Sequence, residues 1–115
     1  MNRLLCPSMM CANYGLLRQG MPVDGILASS DRSAFGAMAA LRALGFYVPE
    51  DVRLICFDNS PYATLTTPAL TTLDRNTGQL ARTACEYLTR MIAGDRAIPA
   101  ETTVPVSLVC RDSTR

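Results

Sequence analysis

Short apolar runs alternate along the chain with longer segments of helical period. Residues 25–29 form a short continuous apolar run, which is typical of a strand covered on both faces, and residues 52–57 are predicted to be the next strand. Between them, residues 32–44 place Ala34, Phe35, Met38 and Leu41 at helical spacing and end at Gly45. Strand, helix and strand in this order form a βαβ unit, which is nearly always right-handed and parallel. The pattern therefore predicts an α/β fold with a parallel, three-layer, Rossmann-like sheet.

The remaining pattern predicts two more helices and two more extended segments. A helix over 9–19 closes at Gly20, and an extended piece covers 70–73. A long helix, capped by Asn76 or Thr77, runs to Ala93 and closes at Gly94. One face of this helix carries Leu80, Ala84, Leu88, Met91 and Ile92. A final strand covers 103–110, where Pro105 makes it an edge strand or places its pairing after the proline.

Charge and hydropathy exclude two classes of function. All eleven basic residues are arginines, the net charge is +1, and no basic stripe forms, so we expect no DNA binding by this chain itself. No apolar run reaches the ~20 residues that span a membrane. The first seven residues are too short and broken for a secretory signal, which predicts a cytoplasmic location.

The cysteines and the absence of histidine bear on the possible chemistry. Five cysteines without a C-x-x-C pair favour free, mostly buried thiols over disulfides or a zinc site, with Cys6 as the candidate if one is reactive. Without histidine, a Ser-His-Asp triad is excluded within the chain. Phosphate-binding and nucleotide-binding glycine motifs are also missing. We expect no enzyme activity, no metal and no cofactor.

Two polar clusters follow the strands of the βαβ unit. Ser29, Ser30 and Asp31 follow the first strand, and Asp58 and Asn59 follow the second, so we expect the two clusters to face the same crevice. Ligands bind at the carboxyl ends of the strands in open α/β sheets, and carboxylates and hydroxyls suit a polyol or sugar. The alternative is that these residues are simple helix caps and a turn. Nothing marks Asp31 and Asp58 as an acid and base pair of a hydrolase.

Five motifs, in order, resemble those of the LacI/GalR family of transcriptional repressors. Residues 24–37 resemble "PDAIFASND-x-x-A-x-GA", residues 44–52 "LG-x-x-VPEDV" and residues 57–59 "GFDN". Residues 67–73 resemble "TPPLTTV", and residues 111–114 the terminal "REST". Ser30 departs from the asparagine of "ND", and Cys56 from the glycine of "GFD", where a larger side chain could crowd the backbone.

The resemblance implies a periplasmic-binding-protein type I half-domain. Residues 1–115 would be part of the effector-binding (sensor) domain of a dimeric regulator, with the DNA-binding head and most of the first lobe absent. The effector would be a sugar or a related small molecule, and its binding would control DNA binding by the missing helix-turn-helix head. The long helix would pack on the missing first lobe. An alternative with the same fold is a fragment of a periplasmic sugar-binding transport protein; a doubly wound enzyme fragment is disfavoured by its missing motifs.

The resemblance also assigns residues. It implies effector contacts at Asp58, at Ser30 with a shorter reach than asparagine, and at Thr77. Asp31 belongs to the same "ND" pair and is a further candidate effector contact, although we interpret it chiefly as the helix cap. The helix over 32–44 and the loop over 62–66 resemble the subunit interface of the family, which gives the interface candidates Phe35, Tyr62, Leu65 and Thr66.

Overall fold

The computed structural model describes residues 4–5, 18–20 and 22–115. Five strands form one sheet in chain order: β1 (Leu4–Leu5), β2 (Gly25–Leu27), β3 (Arg53–Phe57), β4 (Thr71–Asp74) and β5 (Ser107–Val109). The first four strands are parallel, and β5 is antiparallel to β4. Two α-helices, α1 (Asp31–Ala43) and α2 (Thr77–Ile92), and two 3-10 turns, Pro61–Thr64 and Asp112–Thr114, complete the described elements. The predicted α/β class is confirmed, with an antiparallel last strand.

Helix α1 lies between β2 and β3, as the βαβ pattern predicts. Its N-cap is Ser30, whose hydroxyl accepts the backbone N–H of Ser33 at 3.2 Å. The interpretation of Asp31 as the cap is therefore wrong: Asp31 is the first residue of α1 and is 3% exposed. At the other end the chain turns at Gly45, whose φ of 81° is a left-handed value that glycine adopts without a side-chain clash.

The core lies between α1 and the sheet. Alternate residues of β3, Leu54 and Cys56, are fully buried, as the period of two in a strand requires. On α1, Leu41 is fully buried, and Phe35 and Met38 pack against the core from its edge. The remaining buried apolar residues are Ile26, Ala28, Ala34, Ala37, Val52, Ala63 and Leu70. The helical period of residues 32–44 thus identified the correct face of α1.

Helix α2 begins after Asn76 and ends before Gly94, close to the predicted limits. It has no buried residue, and the predicted apolar face is open: Leu88 is 58% and Ile92 79% exposed. Nothing in the described part of the chain covers this stripe. That agrees with the expectation that α2 needs a partner outside the segments described here.

The C-terminal segment returns to the sheet beside β4. Pairing of β5 begins at Ser107, after Pro105, which is the second of the two predicted arrangements. The strand is therefore shorter than the predicted 103–110. The following 3-10 turn buries Ser113, whose hydroxyl donates to the Leu54 carbonyl at 2.6 Å and accepts the Thr71 N–H at 2.8 Å. Those two bonds tie the segment across β3 and β4.

Several predictions concern residues that the structure does not describe or places differently. The helix over 9–19 lies, apart from its last residues, outside the described part, as does Cys6. Of the three described cysteines, Cys56 is buried but Cys85 and Cys110 are exposed, so the expectation of mostly buried thiols is wrong for these three. Within residues 4–5, 18–20 and 22–115, no group of acidic or cysteine side chains could hold a metal, and no helix is long and apolar enough to cross a membrane.

Candidate functional site

The carboxyl ends of β2, β3 and β4 lie at one edge of the sheet. Their parallel register brings together the residues that follow each strand: 29–31, 58–60 and 75–77. Backbone bonds fix the alignment, since the Asp58 N–H donates to the Leu73 carbonyl at 3.1 Å. Side chains then connect the three segments, because Asp31 binds the Ser60 N–H and Asn59 binds Asp74. The predicted meeting of polar clusters at this edge is confirmed.

Asp58 presents its carboxylate at the surface of this edge. Its side chain is 31% exposed and forms an ion pair with the guanidinium of Arg75, which is itself 53% exposed. The backbone φ angle of Asp58 is 104°, a value that residues other than glycine rarely adopt. An exposed carboxylate can accept hydrogen bonds from ligand hydroxyls, and the guanidinium beside it can donate to ligand oxygens. The pair therefore offers both kinds of polar contact that a sugar uses.

Asn59 connects Asp58 to the rest of the site. Its backbone N–H donates to the Thr72 hydroxyl at 3.1 Å, and its side-chain amide donates to an Asp74 carboxylate oxygen at 3.0 Å. Its side-chain oxygen accepts from the Arg111 guanidinium at 2.7 Å. The bond from Asn59, and then one from the Asn76 N–H, hold the pKa of Asp74 below its ordinary value. Asp74 therefore stays ionised and remains the hydrogen-bond acceptor for the Asn59 amide.

Asp31 holds the three segments together from inside. One of its carboxylate oxygens accepts the Ser60 N–H at 2.7 Å. The other accepts the Cys56 thiol at 3.0 Å and lies 3.5 Å from the Thr72 hydroxyl. Both oxygens are engaged within the chain and the residue is buried, which favours a structural role for Asp31 over its predicted contact with an effector.

Cys56 lies inside the core, behind this edge of the sheet. Its side chain is fully buried, and its single S–H donates to Asp31 at 3.0 Å, while the sulfur lies 3.5 Å from the Thr71 carbonyl. Burial, together with the bond to Asp31, raises the pKa of the Cys56 thiol to about 12. The thiol is therefore protonated at neutral pH and serves as a donor to the buried carboxylate.

Ser30 and Thr77, the other predicted effector contacts, lie at the starts of α1 and α2. The Ser30 hydroxyl is used in the cap of α1 and lies 3.1 Å from the Ser33 hydroxyl. Thr77 is exposed at the first position of α2, two residues after Arg75. Both residues stand at the same edge of the sheet as Asp58, and their contacts with an effector stay predictions.

The predicted interface residues lie beyond the strand ends. Tyr62 and Leu65, in and after the first 3-10 turn, are 64% and 76% exposed. Phe35, on α1, and Thr66 are half-buried. Single exposed apolar side chains are common on protein surfaces, whereas exposed apolar side chains that lie together often mark an interaction site. This arrangement is compatible with the predicted interface.

Three residues of the site were not singled out from the sequence. Arg75 and Asp74 stand at the end of β4, and the strand-end rule that identified Asp58 also applies to them. Arg111 reaches the site from the last 3-10 turn. Its only signal in the sequence is the closing "RDST" motif, which gives no hint of its contact with Asn59.

A family model, curated sequences and solved structures that match this chain all belong to one family of proteins. A model described as a periplasmic binding protein-like domain matches residues 6–114. The transcriptional regulator GalR of Streptococcus thermophilus is 34% identical over 92 residues, which cover 80% of this chain and 28% of that protein. The lac repressor dimer, solved bound to operator and an anti-inducer, superimposes with a TM-score of 0.85 at 28% identity and covers 91% of this chain and 36% of that one.

A third relative has been solved with a sugar bound. The complex of the transcriptional regulator CelR with cellobiose superimposes with a TM-score of 0.84 at 31% identity, covering 90% of this chain and 32% of that one. The chain thus spans about a third of the length of the proteins it matches.

Proposed function

Since the chain belongs to the periplasmic binding protein-like domain family, in the form that LacI-type transcription regulators carry, we propose that it is the ligand-sensing part of such a regulator. The effector is a sugar or a related polyol. The observation that carries the proposal is the partly exposed Asp58 carboxylate, set beside Arg75 at the edge where three strands end. A solved relative, CelR, holds cellobiose, which supports a sugar as the class of ligand.

Asp58 accepts hydrogen bonds from effector hydroxyls in this proposal, and Ser30 and Thr77 line the same edge. Arg75 donates to an oxygen of the effector with the guanidinium nitrogens that its bond to Asp58 leaves free. Asp31 and Cys56 do not touch the effector; they keep the strand ends aligned. Because the chain spans only about a third of its relatives, we expect weak, millimolar binding by the chain alone.

The experiment is a titration of the 115-residue chain with cellobiose, lactose and ribose, followed by amide NMR shifts. We expect one sugar to move the signals of residues 58–60 and 75–77. Asp58→Asn should weaken that binding roughly 10- to 150-fold, because a hydrogen bond to a charged group is worth roughly 1.5–3 kcal/mol.

The matched control is Glu50→Gln, which also neutralises an exposed carboxyl group but lies before β3, at the opposite edge of the sheet. It should leave the titration unchanged. Shifts scattered over the whole chain, or equal affinities for the parent and Asp58→Asn, would refute the role of Asp58.

We further propose that the whole protein is a homodimer and that Phe35, Tyr62, Leu65 and Thr66 lie in its interface. The support is the open position of Tyr62 and Leu65 and the dimeric state of the lac repressor structure that the chain resembles. Leu65→Asp would place a charge in the contact, where burying it unpaired is costly. In sedimentation equilibrium, we expect this variant to weaken association at least tenfold, whereas Thr64→Asp, an exposed neighbour, has a smaller effect. If both variants self-associate as tightly as the parent protein, the interface lies elsewhere.

DNA binding belongs, in this proposal, to the whole protein. The eleven arginines are scattered over the sequence and form no stripe. Effector binding would change the balance between two conformations of the regulator and so its affinity for the operator.

A further inference from the structure

The backbone that presents Asp58 is in an unfavourable conformation. Asp58 has a φ of 104° and Asn59 a φ of 48°, so two successive residues with side chains lie in the left-handed region. Asparagine tolerates this region better than most residues, but Asp58 at 104° is outside the usual left-handed well. Such conformations persist only where the surroundings fix them, and they are common at functional sites. Some group must therefore hold this turn.

Asn59 is the residue through which the turn is held. All three of its polar groups beyond the carbonyl are engaged: the backbone N–H with Thr72, the side-chain NH2 with Asp74 and the side-chain oxygen with Arg111. Thr72 and Asp74 belong to β4, the neighbouring strand, whereas Arg111 comes from a different part of the chain. Arg111 is thus the contact that joins the turn to the C-terminal segment.

Arg111 is itself firmly anchored. A second guanidinium nitrogen donates to the Leu70 carbonyl at 2.8 Å, and its backbone N–H donates to the Thr71 hydroxyl at 2.8 Å. The residues after it are fixed too, by the Ser113 hydroxyl on β3 and by the Thr114 hydroxyl, 2.7 Å from that of Thr71. A planar guanidinium with two donors used in fixed directions can set the orientation of the amide it binds.

We propose that Arg111 is a positioning residue of the effector site, acting through Asn59 to fix the direction of the Asp58 carboxylate. It does not contact the effector. The role of Arg111 in effector binding rests on the proposed function, but its effect on the turn at Asp58 and Asn59 can be tested without any ligand. It also gives a role to the "RDST" motif, which the proposed effector contacts leave unused.

The test is a double-mutant cycle with Arg111→Met and Asn59→Ala, and Arg53→Met as the control. Arg53 is an exposed arginine at the far end of β3. Two quantities are measured: the amide NMR signals of residues 58–60 without ligand, and the affinity for whichever of cellobiose, lactose and ribose binds most tightly.

We expect Arg111→Met to shift the signals of residues 58–60 while those of Ala34 and Leu41 in the core stay in place. The sugar affinity should fall tenfold or more. In the Asn59→Ala background, Arg111→Met should cause less than a twofold further loss, because its effect passes through Asn59. Arg53→Met should change neither quantity.

Other outcomes overturn the proposal. An equal loss from Arg111→Met with and without Asn59 would mean that Arg111 acts only on general stability. Unshifted signals for residues 58–60 would mean that it does not hold the turn. If no sugar binds, the proposed function fails, whereas the ligand-free signals still decide the positioning role. If Arg111→Met does not fold, Arg111→Lys replaces it in the cycle: a single ammonium group cannot reach both Leu70 and Asn59 in the same way, so the same shifts are expected with smaller size.

Discussion

Replacing Asp31 by alanine removes the buried acceptor that joins α1 to the ends of β3 and β4. The Ser60 N–H loses a bond to a charged group at 2.7 Å, worth roughly 1.5–3 kcal/mol. The Cys56 thiol loses a weaker bond at 3.0 Å, worth about 0.5–1.5 kcal/mol. The 3.5 Å contact with Thr72 is at the limit of a hydrogen bond and is counted as nothing. We expect Asp31→Ala to lower the free energy of unfolding by roughly 2–4.5 kcal/mol, a large part of the total of a typical domain, about 5–15 kcal/mol.

Urea unfolding followed by circular dichroism measures this loss. Asp112→Ala, which removes an exposed carboxylate, is the matched control and should change the midpoint little. Asp31→Asn should lose less than Asp31→Ala, since its amide oxygen can still accept the Ser60 N–H. A loss below about 1 kcal/mol for Asp31→Ala, with an unchanged slope, would show that the desolvation of the carboxylate cancels its bonds and would refute the reasoning.

Three further predictions concern burial. Because burial raises the pKa of the Cys56 thiol to about 12 and its side chain is fully buried, folded Cys56 should react with iodoacetamide at pH 8 at least about 100-fold more slowly than exposed Cys85 and Cys110, as read by peptide mass mapping. The same raised pKa stabilises the fold fully below pH 9 and progressively less as the pH rises towards 12, so Cys56→Ala should flatten that alkaline decline. Leu41→Ala should cost roughly 2–5 kcal/mol and exposed Leu88→Ala under about 0.5 kcal/mol in the same urea assay; equal costs would contradict the described packing.

The βαβ unit was predictable because its determinants are local. The apolar period of residues 32–44 and the glycine after them identify α1 and its buried face from neighbouring residues alone. The choice between Ser30 and Asp31 as cap was not predictable in this way. Both residues suit the cap, and Asp31 is drawn inward by the Ser60 N–H and the Cys56 thiol, which are distant in sequence.

The candidate site shows the same division. The strand-end rule predicts the position of Asp58 at the sheet edge, and applied to β4 it would also have singled out Arg75. Arg111 could not be found by any local rule, since its bond to Asn59 joins residues 52 positions apart. The antiparallel direction of β5 likewise depends on where the chain re-enters the sheet after α2.

Ser113 has a consequence for the order of events during protein synthesis. Its hydroxyl closes a contact with Leu54, 59 residues earlier, and Thr71 is bound by the same group. Bringing two residues together over such a separation costs loop-closure entropy, and this cost precedes the free energy gained from the contact. The core residues Ala63 and Leu70 follow the βαβ unit in the chain, and the turn at Asn59 is bound by Arg111, two residues before Ser113. A pause in translation before these C-terminal residues emerge would therefore leave this edge of the sheet without its C-terminal contacts.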